Sequence, residues 1–324
     1  MGGDTAAEPA RMNPDRVDRD RNAAGAGVTQ LLVTRHGGLH PGDMELTDPR
    51  PDPPAGDGPV RIGLALGGGA VRGAAHIGVL SILEKAGLAP AVITGCSAGA
   101  LVGALYAAGM STPDISALAR TLHWTRLVRP SITGRSLFET SRLGTFLDKT
   151  LDGRTFTDLA LPFATVACEL TTARRVVLDE GPVSSAVLAS SAIPGVFPPV
   201  ERDGMLLVDG SLVDMVPAAL ARSMGADIVV AVDVSGPLPR RPPKTMVQIM
   251  VAVSTLHPGV EGQLARDADL VLTPDVDAYA FWELSRMSEF EQAGAAAAEE
   301  SLPLVQALVQ VAEARAAWRD RQRP

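Results

Sequence analysis

Ser97 stands in Gly95-Cys96-Ser97-Ala98-Gly99, after the apolar run AVIT (91–94) and before the helical stretch ALVGALYAAGM (100–110). A serine hydroxyl is a poor nucleophile until a base takes its proton. G-x-S-x-G at a strand-to-helix turn is the setting of a nucleophile elbow: the tight turn exposes Oγ, and small neighbours let strand and helix cross. The helix N-terminus after Ser97 would favour negative charge developing on a substrate. A serine here also suits an ordinary helix cap, so its surroundings must decide.

Upstream lies Gly67-Gly68-Gly69-Ala70-Val71-Arg72-Gly73, again between a strand and a helix. Glycines let backbone approach a ligand closely, and the helix that follows aims free N–H groups at an anion. A dinucleotide fingerprint fails in both registers, because Arg72 or Ala70 stands where glycine is required. A phosphate-binding P-loop fails because no Gly-Lys-Ser/Thr follows. A mere turn needs one glycine, so three in a row followed by Arg72-Gly73 point to a functional backbone loop.

A base remains to be found. Asp209 ends the strand GMLLVDG (204–210), and Asp233 lies near the end of DIVVAVDV (227–234). An acid at the C-terminal edge of a sheet can face a serine on a neighbouring edge. Asp209-Gly210-Ser211 has the tighter turn, although Asp before Gly is also a common turn former. Of the five histidines (His36, His40, His76, His123, His257), only His257 fits the Ser…Asp…His order of an α/β-hydrolase. His76 falls in the first helix, where packing or capping suffices to explain it.

The chain that must position these groups has 324 residues and a net charge of −8. It is long enough to bury a core without disulfides or a structural metal. The acidic balance disfavours a nucleic-acid partner. Cys96 and Cys168 both lie in apolar stretches and read as buried thiols. Two thiols cannot build a tetrahedral zinc site, and no EF-hand-like acid spacing occurs, so no cofactor is expected. No apolar run reaches a membrane-spanning length of about 18 residues. The N-terminus lacks the apolar core of a signal peptide, and Ala6 breaks the myristoylation pattern. A cytoplasmic protein is expected.

Residues 1–58 are rich in Asp, Arg, Pro and Gly and read as a disordered or linker-like tail. Residues 59–324 read as one domain. Short apolar runs at 60–66, 91–94, 163–170, 174–180, 204–210, 227–234 and 269–276 read as strands. Helical periodicity covers 70–88, 100–110, 183–193, 218–225 and 245–256. Between 111 and 158, two amphipathic helices would cap the sheet end where ligands bind in α/β folds. The Ala- and Glu-rich stretch 291–319 is helical, with a break expected at Pro303. Strand–helix alternation with tight glycine turns predicts an α/β fold: a central, mostly parallel sheet sandwiched by helices.

GLALGGGAVRGAAHIGVL, GCSAGALVGALYAAG, SSAIPGVFPPV and LLVDGSLVDMVP together resemble the bacterial members of the patatin-like phospholipase family. The resemblance runs from about Arg61 to Ser235, in the same order and spacing. It implies a three-layer α/β/α fold and a Ser–Asp dyad without histidine, carried here by Ser97 and Asp209. It implies an oxyanion hole at Gly67, Gly68 and Gly69, with the loop's basic residue at Arg72, and the N–H of Ala98 is a further donor. Arg72 would brace that loop or meet a lipid phosphate. The implied substrate is a lipid ester, a phospholipid or lysophospholipid. Ala70 stands where many members have glycine, and Ser211 where glycine or alanine is usual. The loop Ile193–Pro198 is expected beside the dyad. Phe281 and Trp282 read as core or acyl-pocket residues. Arg240, Arg241 and Lys244 read as a solvated loop with weak attraction for an anionic membrane. A Ser97–Asp–His257 triad, and a lipid-binding protein without turnover, stand as the alternatives.

Overall fold

The structure is a computed structural model and describes residues 58–123, 127–132, 134–236, 243–254, 260–276 and 283–322. The N-terminal tail, His36, His40, Arg240, Arg241, His257, Phe281 and Trp282 lie outside the described residues.

In chain order the strands are β1 (Ile62–Leu66), β2 (Val92–Gly95), β3 (Arg129–Pro130), β4 (Phe138–Glu139), β5 (Phe163–Glu169), β6 (Arg174–Leu178), β7 (Val200–Arg202), β8 (Met205–Asp209), β9 (Ile228–Val232) and β10 (Leu270–Leu272). The helices are α1 (Ala75–Lys85), α2 (Ala98–Ala107), α3 (Thr112–Thr121), α4 (Ser141–Thr150), α5 (Val183–Ser190), α6 (Ala218–Ser223), α7 (Met246–Ser254), α8 (Val260–Asp267) and α9 (Met287–Gln322).

Eight strands form one sheet in the order β10-β9-β1-β2-β5-β8-β7, with β6 on the other edge of β5, while β3 and β4 pair apart from it. The run β10-β9-β1-β2-β5 is parallel throughout. Its strands are buried on both faces and read as continuous apolar runs, as such sheets require. Alternate side chains go to opposite layers. Leu64, Leu66, Val230 and Val232 pack in the core beneath α1, α2 and α9. Ala65, Val229 and Ala231 pack in the core beneath α6 and α8. This is the expected three-layer α/β/α architecture.

Two departures from the sequence reading are instructive. The stretch 70–88 opens as a 3-10 turn (Ala70–Ala74) before α1 begins, because the glycine loop enters the helix tightly. The expected break at Pro303 does not occur: α9 runs unbroken through it. Pro303 is exposed while Ala298, Ser301 and Val305 are buried. The carbonyl that proline leaves unbonded therefore lies on the solvent side, and packing of the other face holds the helix together.

β5 explains how the sheet makes a site. One of its edges pairs with β6 from Thr165 to Glu169. Its other edge is shared: Phe163–Thr165 pair with β2, and Ala167–Glu169 pair with β8, which runs the opposite way. The C-terminal ends of β2 and β8 thus meet head to head against the middle of β5.

Candidate active site

The turn after β2 puts Ser97 at φ 52° and ψ −116°, a strained backbone for a non-glycine residue. Its neighbours leave no alternative to glycine. A Cβ on Gly95 would come 2.5 Å from the Gly99 carbonyl oxygen, and one on Gly99 would come 2.1 Å from that of Leu66. The close crossing of strand and helix that G-x-S-x-G anticipates is therefore present.

The turn after β8 delivers Asp209. Its Oδ2 accepts a hydrogen bond from Ser97 Oγ at 2.9 Å, and its Oδ1 accepts one from the Ser211 N–H at 2.9 Å. The Asp209 N–H is held by the Ala192 carbonyl at 3.0 Å. Asp209 is 1% exposed. Burial raises its carboxyl above the ordinary range, against the hydrogen bonds from Ser211 and Ser97 that lower it. A carboxylate held this way is a stronger base than a solvated one.

Two residues that sequence reasoning missed hold the elbow. The Ser97 N–H donates to Ser190 Oγ at 2.9 Å, at the end of α5. Ser190 Oγ lies 2.9 Å from Thr165 Oγ1, which lies 2.8 Å from the Gly95 carbonyl. A carbonyl only accepts, so the Thr165 proton goes to Gly95 and the Ser190 proton goes to Thr165. This buried chain ties both sides of the turn to β5 and α5. Ser190 belongs to SSAIPG, but its target lies 93 residues away in sequence.

The glycine loop divides by function. The N–H of Gly67 donates to the Val232 carbonyl and that of Gly68 to the Met215 carbonyl, both at 3.0 Å. These two glycines shape the loop. Among the described residues, the N–H groups of Gly69 and Ala98 have no carbonyl partner. Gly68, Gly69, Ala70, Ser97, Asp209 and Ser211 line one small cavity.

Arg72 is 2% exposed, and its Nη1 donates to the Ser235 carbonyl at 2.5 Å, bracing the loop against the end of β9. His76 is fully buried, and its Nε2 donates to the Gly67 carbonyl at 2.8 Å. Burial, only partly offset by that bond, pulls its pKa from 6.5 to about 4, so it is neutral at physiological pH. Ala70, where the resemblance calls for glycine, adopts φ 52°. Cys96 is a buried free thiol 4.0 Å from Asp209 Oδ1, pushed well up by burial and by the nearby Asp209 and Asp214 carboxylates. Asp233 accepts from the Ser235 N–H and takes no part in the pair.

Ser97 also lines a second cavity, of about 170 Å³. Its wall is apolar: Leu101 and Leu105 from α2, Ile115 and Leu118 from α3, Phe146 and Leu147 from α4. The two amphipathic helices of the middle segment thus wall a cavity beside Ser97. Ile193 and Phe197 also line it, as expected of their loop.

Residues 64–222 match the profile of the family described as Patatin-like phospholipase. This stretch is a patatin-like phospholipase domain. An uncharacterized NTE family protein of Mycobacterium tuberculosis is 35% identical over 185 residues, covering 54% of this chain and 49% of that protein. Patatin-like phospholipase domain-containing protein 6 of Homo sapiens is 36% identical over 183 residues, covering 53% of this chain and 13% of that protein. The chain thus spans about half the length of the mycobacterial relatives it matches, and far less of the human one. The crystal structure of VipD from Legionella pneumophila superposes with a TM-score of 0.51 at 14% identity, covering 79% of this chain and 67% of that one. At that identity the likeness concerns the patatin-like fold.

Proposed function

We propose that this patatin-like chain is a lipid acyl ester hydrolase of phospholipase A or lysophospholipase type, working through a Ser97–Asp209 dyad. The observation that carries the reading is the 2.9 Å hydrogen bond to a buried carboxylate from Ser97 Oγ, on a serine that also lines an apolar cavity. Asp209 takes the Ser97 proton as Oγ attacks the ester carbonyl. The N–H groups of Gly69 and Ala98 receive the oxyanion, while Gly67, Gly68 and Arg72 hold the loop in shape. Collapse expels the alcohol, which takes the proton from Asp209. Water then gives a proton to Asp209 as it attacks the acyl-enzyme, and the acid leaves with Ser97 restored.

The apolar cavity fits the acyl chain, and the head group would stay outside it. Ser97 Oγ donates directly to Asp209 Oδ2 with no group between them, the contact a dyad requires. The family profile ends at residue 222, but β9 and β10 complete the sheet and α9 covers it. We therefore take 59–324 as one catalytic domain.

The test is hydrolysis of a short-chain p-nitrophenyl ester, then of phospholipid and lysophospholipid panels. Wild type is compared with Ser97→Ala, Asp209→Asn and His257→Ala, each with its fold verified by circular dichroism. The dyad predicts loss of at least about 10³-fold in the first two and little change in the third. Collapse in His257→Ala would move the mechanism to a triad. A folded wild type that neither hydrolyses esters nor reacts with a fluorophosphonate would leave a lipid-binding protein without turnover.

A further inference from the structure

α7 is apolar all round: in MVQIMVAVS only Gln248 and the terminal Ser254 are polar. A helix of that composition belongs in a protein core or in lipid. One face of α7 is in a core. Val247, Met250 and Val251 pack against Val196 and Phe197, and Met250 occupies the space over Gly195 that a Cβ would need. Val251 and Ser254 line the small cavity that also holds Ser97 and Asp209. The other face is bare: Met246, Ile249 and Val253 follow helical spacing at 63%, 50% and 57% exposure.

The same small core, through Val128 and Phe138, supports the hairpin of β3 and β4, which carries Ile132 at 95% exposure. These two segments hold four of the eight strongly exposed large apolar side chains among the described residues. Their charge runs against that of the chain. No acidic residue occurs between Asp233 and Glu261, whereas Arg240, Arg241 and Lys244 do. The hairpin segment adds Arg129 and Arg135 against the single acid Glu139. An apolar stripe preceded in sequence by basic residues, in a protein of net charge −8, matches an anionic lipid surface, whereas pairing of this face with itself in a second copy would bring like charges together.

We propose that α7, through Met246, Ile249 and Val253 with Lys244 at its start, docks the protein on an anionic bilayer and sets the dyad against the lipid it hydrolyses. The hydrolytic half of that statement rests on the function proposed above; the docking half does not. The experiment keeps them apart by measuring binding in the Ser97→Ala background. The full chain is floated with phosphatidylcholine vesicles, with and without phosphatidylglycerol. Partition is then compared with that of a Met246→Gln/Ile249→Asn/Val253→Asn variant and of Lys244→Glu. The expected result is preference for the anionic vesicles, at least tenfold weaker partition in the triple variant and about fivefold weaker in Lys244→Glu. With Ser97 restored, the triple variant keeps its short-chain ester activity, which also reports that it is folded, and loses activity on vesicles. Vesicle binding unchanged in the triple variant overturns the proposal. So does a wild type that is dimeric in solution where the triple variant is monomeric, since the face would then belong to a second copy.

Discussion

Gly95 and Asp209 lie two residues apart along one edge of β5, Gly95 opposite Thr165 and Asp209 opposite Ala167. A parallel strand and an antiparallel strand end there facing each other, so the serine two residues beyond one end meets the carboxylate at the other. The pair is therefore fixed by sheet register, and the carboxylate approaches from the sheet itself rather than from a loop. An acid placed like this is buried by construction.

That burial predicts a trade between stability and activity. The folded-state pKa of Asp209 lies above its unfolded value, so folding favours the protonated form. Its destabilising effect is absent at pH well below the unfolded pKa. It grows as pH rises through that value and is complete above the raised folded pKa. Asp209→Asn is therefore expected to be inactive yet to melt higher than wild type at neutral pH, by about 2–4 °C for each kcal/mol of relieved cost. The gap should shrink as the pH falls into the acid range. Wild-type kcat/KM should have an acid limb above the ordinary carboxylate pKa. Thermal melts against pH, beside a pH–rate profile, read both effects.

His76 makes the opposite prediction. Its pKa falls from 6.5 to about 4 on folding, so the stability it contributes is fully present above pH 6.5 and is lost as pH falls towards 4. The loss at pH 4 amounts to roughly 3 kcal/mol. Because Nε2 holds the Gly67 carbonyl, acid should disturb the glycine loop before the sheet. Replacing His76 by Gln should flatten the pH dependence of the melting temperature over that window. A variant as acid-labile as wild type would assign the effect to another group.

The chain Ser190–Thr165 predicts a kinetic signature. Ser190→Ala leaves the Ser97 N–H buried without its acceptor, at a cost of about 1–3 kcal/mol. The elbow turn, already at a strained φ, loses the bond that fixes it. The expectation is a fall in kcat of about ten- to a hundredfold with KM within about threefold, since the acyl cavity is untouched. Thr165→Val should show a weaker form of the same split. An increase in KM at constant kcat in either variant would place Ser190 and Thr165 in substrate binding instead.

Much of this site was legible in the sequence, for a physical reason. A strand-to-helix turn that must be tight demands small residues at fixed spacing, so Gly95, Ser97 and Gly99 announce themselves, as does an acid closing an apolar strand at Asp209. The parallel half of the sheet follows from strand–helix alternation. Tertiary hydrogen bonding is silent in one sequence: nothing local marks Ser190 or Thr165, nor the capture of the Gly67 and Gly68 N–H groups by Val232 and Met215. The antiparallel course of β8 was equally hidden, because an apolar run carries no direction. Pro303 misled because only packing determines which side of a helix can spare a hydrogen bond.

Ala70 offers a test of the departure at its position. At φ 52° an alanine bears a cost of about 1–2 kcal/mol that glycine avoids, against about 0.5–1 kcal/mol of extra chain entropy for glycine. Ala70→Gly should therefore stabilise the fold by up to about 1.5 kcal/mol. Activity should change by no more than a fewfold, since the loop keeps its length and the Gly69 N–H its place. Denaturant unfolding alongside short-chain ester kinetics reads both quantities. Destabilisation on that change would mean that the Ala70 methyl packs in the cavity it lines more firmly than backbone strain opposes it.

The apolar cavity predicts chain-length selection. Leu101 and Leu105 lie one and two turns along α2 from Ser97, about 6 and 12 Å by helical rise, and both line the cavity. A side chain enlarged at Leu105 should shorten the space without touching the dyad. Leu105→Phe is expected to lower kcat/KM for a dodecanoyl ester at least tenfold relative to a butyryl ester, whose rate should stay within about twofold. The change enlarges a buried residue, so overpacking costs about 1–3 kcal/mol, and melting must be measured beside kinetics. If the two esters lost activity in parallel in a folded variant, the acyl chain would have to lie elsewhere.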